Sequence, residues 1–212
     1  MPIIPLLQKL KKAAHRNIAL AQDIMVIELY NSIPRAVIHG GTAIWRCYGG
    51  SRFSEDVDVY LEGKGMEGFR HRLAVRGFSE VKFRVKDRSV FSTFSYLGAT
   101  VRFEAVFKSV KPAVRPFELS DGTFINVYTL SAEDLIKEKV AAYFARAKVR
   151  DLYDITTLLK DVEAPDAVRP VVKALLDGFR QPVDAPELKA LVMVGAVPDV
   201  NSMIEVIARW VR

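Results

Sequence analysis

Apolar residues recur at near-helical spacing from the start of the chain. Leu6, Leu7, Leu10, Ala14, Ile18 and Ala21 form one side and Lys9, Lys11 and Lys12 the other, so residues 3–30 are expected to form one or two helices. Ala36-Val37-Ile38 is a short apolar run and reads as a buried strand. Gly40-Gly41-Thr42 then reads as a turn, residues 43–48 as a short helix, and Gly49-Gly50-Ser51 as a second turn. The strand after it alternates. Asp56 and Asp58 share one face, Val57 and Val59 the other. Residues 66–76 read as a helix ended by Gly77. Residues 81–86 alternate strictly, which places Val81, Phe83 and Val85 inward and Lys82, Arg84 and Lys86 in a row on the other face. Two more strands are expected over 90–96 and 100–107. In the second, Val101, Phe103, Ala105 and Phe107 share a face, opposite Arg102, Glu104 and Val106. Pro112 and Pro116 mark a loop, and the Asp121-Gly122 turn precedes a last strand over 123–128.

The second part of the chain is helical in pattern. Ser131, followed by Glu133 and Asp134, caps a helix over 132–147. Leu135, Lys139, Ala142 and Arg146 run along one stripe of it, and Lys139 lies two turns, roughly 10 Å, from Arg146. A second helix starts near Val149. Leu152, Ile155, Thr156 and Leu159 form its apolar face, and Asp151 and Asp154 stand one turn apart on another. Residues 161–212 suggest three further helices broken by prolines. The expected fold is α+β: a mixed β-sheet with flanking helices over 1–130, followed by a helical bundle domain over 131–212 that closes a cleft against it.

Composition narrows this picture. Of 212 residues, 50% are hydrophobic, which excludes a disordered chain. No apolar run is long enough for a bilayer, and the basic residues near the start interrupt any leader-like stretch. No membrane association and a cytoplasmic location are therefore expected. Cys47 is the single cysteine, so an internal disulfide and a multi-cysteine metal site are excluded. The net charge of +6 is a weak pointer toward polyanionic partners.

Candidate chemistry centres on the glycine-rich stretch and the strand beyond it. Glycines at a helix start admit phosphate close to the backbone, free N–H groups there favour an anion, and Thr42 adds a hydroxyl donor. Asp56 and Asp58 supply oxygen ligands for a hard cation such as Mg2+ or Mn2+ that also holds the phosphates of a nucleoside triphosphate. Glu104 is placed to be a third carboxylate, as metal ligand and as general base, or else to pair with Arg102. The Lys82, Arg84 and Lys86 row has two readings, a track for a phosphate backbone or a solvated strand whose lysines discourage edge pairing. Likewise Lys148, Arg150, Asp151 and Asp154 taken alone read as surface ion pairs worth well under ~1 kcal/mol.

Taken together, His39-Gly40-Gly41-Thr42-Ala43 and the run from Gly49 to Asp58 resemble the nucleotidyltransferase superfamily, and within it the AbiEii/AbiGii toxin branch that includes the MenT toxins. The run from Glu138 to Asp154 resembles the later conserved blocks of that branch, a helical lysine followed by Lys-x-x-Asp and Asp-Leu-x-Asp. By this resemblance Asp56, Asp58 and Glu104 hold the metal and carry catalysis together with Asp151. Gly40, Gly41, Thr42, Ser51, Lys139, Arg146 and Lys148 face the nucleotide, with Arg150 a further candidate for phosphate or RNA. The implied reaction transfers a nucleoside monophosphate from a triphosphate to an RNA acceptor, a tRNA 3′ end by family likeness, in a toxin with a cognate antitoxin. A protein or small-molecule hydroxyl as acceptor, and a binding module without turnover, remain the alternatives.

Overall fold

The computed structural model describes residues 4–212. In chain order its elements are α1 (Leu6–Lys9), α2 (Ala13–Ser32), β1 (Val37–His39), α3 (Gly40–Cys47), β2 (Asp56–Leu61), α4 (Met66–Val75), β3 (Ser79–Lys86), β4 (Ser89–Tyr96), β5 (Ala99–Phe107), β6 (Ala113–Glu118) and β7 (Phe124–Thr129). The helical remainder comprises α5 (Ala132–Arg146), α6 (Val149–Leu158), α7 (Arg169–Asp177), α8 (Leu188–Leu191) and α9 (Val200–Val211), with short 3-10 turns between them.

Seven strands form one mixed sheet in the order β3-β4-β5-β2-β1-β7-β6. Alternation along the strands decides which face is buried. Val57, Val59 and Leu61 of β2 and Val101, Phe103 and Ala105 of β5 enter the core, so Asp56, Asp58, Arg102 and Glu104 take the opposite face. Against the apolar face pack α2 and α4, through Met25, Leu29, Phe69 and Leu73. The core runs without a break from these strands into the helices after residue 130, through Leu135, Ile136, Leu152 and Ile155.

Three expectations are corrected. The Gly40-Gly41-Thr42 segment is not a turn before a helix but the first turn of α3 itself. Gly40 takes φ 69°, which lets the chain pass from strand to helix with no intervening loop. The segment around Pro112 and Pro116 is not a loop. Residues 113–118 form β6, and its place at the sheet edge is where a proline costs no ladder hydrogen bond. Finally, Val81, Phe83 and Val85 do not turn into the core. Strand β3 is the other sheet edge and is exposed along its whole length, with Val81 66% and Val85 58% exposed. Periodicity reports that two faces differ, but not how far the covering helices extend.

Candidate active site

Strands β2 and β5 run parallel, pairing Asp56 with Arg102 and Asp58 with Glu104. These four side chains form the floor of a cavity of about 540 Å³. Gly40 and Gly41, and Glu138, Lys139, Arg146 and Arg150 from α5 and α6, also line it. The glycines are needed here for space. A Cβ on Gly40 would run into the Asp58 carboxylate, and one on Gly41 would lie 2.6 Å from both Arg52 Nη2 and Ser54 Oγ.

On the acidic side, Asp58 and Glu104 are each pushed upward in pKa. For Asp58 the main cause is burial, opposed by His39 and reinforced by Asp56. For Glu104 it is burial again, then the charges of Asp58 and Asp56. Arg102 Nε meets Asp56 Oδ1 at 2.5 Å. Among the described residues, no three histidine, cysteine, aspartate or glutamate side chains converge at coordinating distance. The donor set nonetheless fits a hard divalent cation of the magnesium type. Such an ion takes one or two carboxylates and completes its shell with water and phosphate, and crowded, desolvated carboxylates gain from a positive charge between them.

The cationic side is a network built on two buried acids, Asp151 and Asp154. Arg52 donates to both oxygens of Asp154, through Nε at 2.9 Å and Nη2 at 2.8 Å. Lys139 Nζ lies 2.7 Å from Asp154 Oδ2 and 3.6 Å from Asp151 Oδ1. Arg146 reaches Asp151 with two hydrogen bonds, at 2.8 and 2.7 Å. Burial alone would raise the Asp154 carboxyl, but Arg52 and Lys139 hold it below the usual carboxylate range. Three cations share two acids, so one positive charge is left over on the cavity side. Arg150 also lines the cavity, and its Nε is buried with no hydrogen-bond partner among the described residues.

The structure thus brings Gly40, Gly41, Asp56, Asp58, Glu104, Lys139, Arg146 and Arg150 to one cavity. Four expected residues stand apart from its wall. Thr42 is fully buried and its hydroxyl donates to the Asp56 carbonyl, so it braces β2. Ser51 does not line the cavity, and its carbonyl accepts from Met193 N at 2.8 Å. Lys148 precedes α6 and points to Asp184, 3.4 Å away. Asp151, fully buried, is spent on Arg146 and Lys139. Asp151 and Asp154 are therefore buried acids, not the surface acids that their spacing alone suggests, although the Arg146 partner of Asp151 is itself partly exposed.

Sequence reasoning assigned no catalytic or binding role to five polar residues that line the cavity: His39, Arg52, Ser54, Arg102 and Glu138. Arg102, expected as a possible partner of Glu104, pairs with Asp56 instead. His39 stacks on Tyr60 with ring centroids 4.0 Å apart, and its Nδ1 lies 3.2 Å from Glu138 Oε2. Tyr60 donates to Glu138 Oε1 at 2.5 Å. Its position next to Gly40 was a readable signal for His39, while nothing local marked Arg52.

The family model described as nucleotidyl transferase AbiEii toxin, type IV toxin–antitoxin system, matches residues 28–200. Among curated proteins none matches the sequence. Of solved structures, JHP933 from Helicobacter pylori superposes with a TM-score of 0.65 at 17% identity, over 94% of this chain and 91% of that one. The antibiotic-resistance factor ANT(2")-Ia, solved with adenylyl-2"-tobramycin, superposes with a TM-score of 0.50 at 11% identity, over 76% of this chain and 98% of that one. At such identities the likeness concerns the fold.

Proposed function

The chain belongs to the AbiEii family of nucleotidyl transferase toxins, and from that premise we propose that it transfers a nucleoside monophosphate from a triphosphate to the 3′-hydroxyl of an RNA, a tRNA acceptor end by family likeness. One observation carries the reading: Asp56, Asp58 and Glu104 line a single cavity together with Lys139, Arg146 and Arg150. Phosphoryl transfer is mainly a matter of positioning and of neutralising charge, and this is an arrangement of acids for a cation and of cations for phosphates.

Asp56 and Asp58 would hold the divalent ion, with Glu104 beside them. Bound there, it would supply positive charge to the phosphate oxygens. Gly40 and Gly41, at the start of α3, give the triphosphate close approach to backbone N–H groups. The acceptor hydroxyl attacks the α-phosphorus in line, the bond to the β-phosphate oxygen breaks, and pyrophosphate departs. Lys139, Arg146 and Arg150 meet the negative charge on that leaving group. Glu104 takes the hydroxyl proton. A carboxyl pushed upward by burial and by its acidic neighbours is the better base. Asp151 and Asp154 act through the cations they position. A growth-inhibiting role held in check by an antitoxin, in the cytoplasm, completes the proposal.

The test incubates pure protein with magnesium or manganese, each labelled triphosphate in turn and total tRNA, beside Asp56→Ala. Label on RNA from the native chain alone supports the reading. Equal transfer by both proteins would overturn the site, and label on protein or a small molecule would change the acceptor.

A further inference from the structure

We propose that the sheet face beside the catalytic acids is the seat of the acceptor strand, with Phe91 as a base-stacking platform and Lys82 and Arg84 as phosphate contacts. The proposal rests on the transferase reading for its substrate, single-stranded RNA, and on the following geometry for its place. Antiparallel pairing continues the catalytic row across the sheet. Glu104 on β5 lies opposite Phe91 on β4, and Phe91 lies opposite Arg84 on the edge strand β3. One row along, Arg102 lies opposite Thr93, and Thr93 opposite Lys82. Side chains in register point to the same face, so the basic row of β3 shares a surface with Asp56 and Asp58.

That surface is recessed. Lys82, Arg84, Lys86 and Phe91 line a groove of about 410 Å³, and Arg102 and Glu104 line both this groove and the catalytic cavity. The two spaces therefore border each other at Arg102 and the third carboxylate. Phe91 lies two strands from Asp58, about 10 Å. The first nucleoside behind a reacting 3′-hydroxyl would rest there. A phenyl ring that stays 37% exposed among cations contributes little to the core. An aromatic ring among cations, on a track leading to acids, is what a single strand requires: stacking that tolerates any base, and charge that follows the backbone. A duplex offers no free base face to Phe91.

The test measures binding of a short fluorescein-labelled single-stranded oligoribonucleotide by anisotropy, without triphosphate, over a range of salt concentrations. Phe91→Ala should weaken binding by about five- to a hundredfold with an unchanged salt slope, and Phe91→Trp should restore it. Lys82→Ala and Arg84→Ala should each reduce the slope of log affinity against log salt by about 0.7. Far-UV circular dichroism checks that the variants fold. Binding by Phe91→Ala within twofold of the native chain, or equal competition by a duplex, would overturn the proposal. The readout needs no turnover, so the two readings fail separately. Phe91-dependent binding without transfer keeps the groove and removes the reaction, while transfer onto RNA indifferent to Phe91 does the reverse.

Discussion

Arg52 and Asp154, 102 residues apart in sequence, meet through two parallel hydrogen bonds of 2.9 and 2.8 Å, with both side chains buried. The pair fastens the loop before β2 to helix α6, and so holds the strand bearing Asp56 and Asp58 against the helices bearing Lys139 and Arg150. Asp154 also anchors Lys139 at 2.7 Å. The acid is thus shared between a structural arginine and a lysine that faces the cavity.

Replacing Asp154 with alanine leaves buried Arg52 without its acid and Lys139 with only the more distant Asp151, 3.6 Å away. Breaking a buried pair in this way costs about 3–5 kcal/mol. Urea unfolding of Asp154→Ala should show that loss, and Asp154→Asn a smaller one, since the amide still accepts a hydrogen bond. If both variants unfold at the native midpoint, the network does not fasten the two parts.

Gly40 and Gly49 provide an internal control for the wall of the cavity. Both have positive φ, 69° and 63°, so alanine at either costs about 1–2 kcal/mol in backbone strain. A Cβ at Gly49 meets nothing within 4 Å, whereas one at Gly40 strikes the Asp58 carboxylate. Gly40→Ala should therefore be less stable than Gly49→Ala and should lose transfer activity that Gly49→Ala retains. Thermal unfolding and labelled-nucleotide transfer, run side by side, separate the two effects.

What could be read from the chain was local. Alternation along residues 56–61 and 99–107 places Asp56, Asp58 and Glu104 on the uncovered face, and this follows from strand geometry alone. Helical spacing likewise puts Lys139 and Arg146 on one stripe, and both line the cavity. What could not be read depends on neighbours distant in sequence. Val81, Phe83 and Val85 alternate like a half-buried strand, but their exposure follows from β3 being the last strand of the sheet. Pro116 argues for a loop until β6 proves to be the opposite edge. Asp151 has the spacing of a surface acid, and only the packing of α5 on α6 shows it enclosed by Arg146 and Lys139.

Glu104 should separate chemistry from binding. It stands beside Asp58 in the β2–β5 register, and its raised pKa suits a base for the acceptor hydroxyl. Glu104→Gln keeps the shape and removes the proton acceptor. Steady-state kinetics should show kcat lower by about 10²–10⁴-fold with the triphosphate KM nearly unchanged. A rise in KM with kcat intact would make Glu104 a nucleotide-binding group instead.

Asp58 should make the native chain less stable than its own neutral variant. Burial, together with Asp56, lifts its folded-state pKa above the ordinary value, here 3.8, although His39 opposes the shift. The folded chain therefore binds the proton more tightly than the unfolded one, and unfolding free energy falls as pH rises from the unfolded pKa through the folded one. Below that window both states are protonated and the penalty is absent, and above it the penalty is complete. Asp58→Asn should melt at the native temperature at low pH and above it at neutral pH without divalent ions, by about 2–4 °C for each kcal/mol relieved. Added magnesium should narrow the gap by stabilising the native chain alone, since an amide is a poor ligand for a hard cation. Calorimetry across pH, with and without magnesium, checks both parts. If Asp58→Asn melts below the native chain at neutral pH, Asp58 serves the fold through a hydrogen bond, and its crowding with Asp56 carries no cost that a cation would relieve.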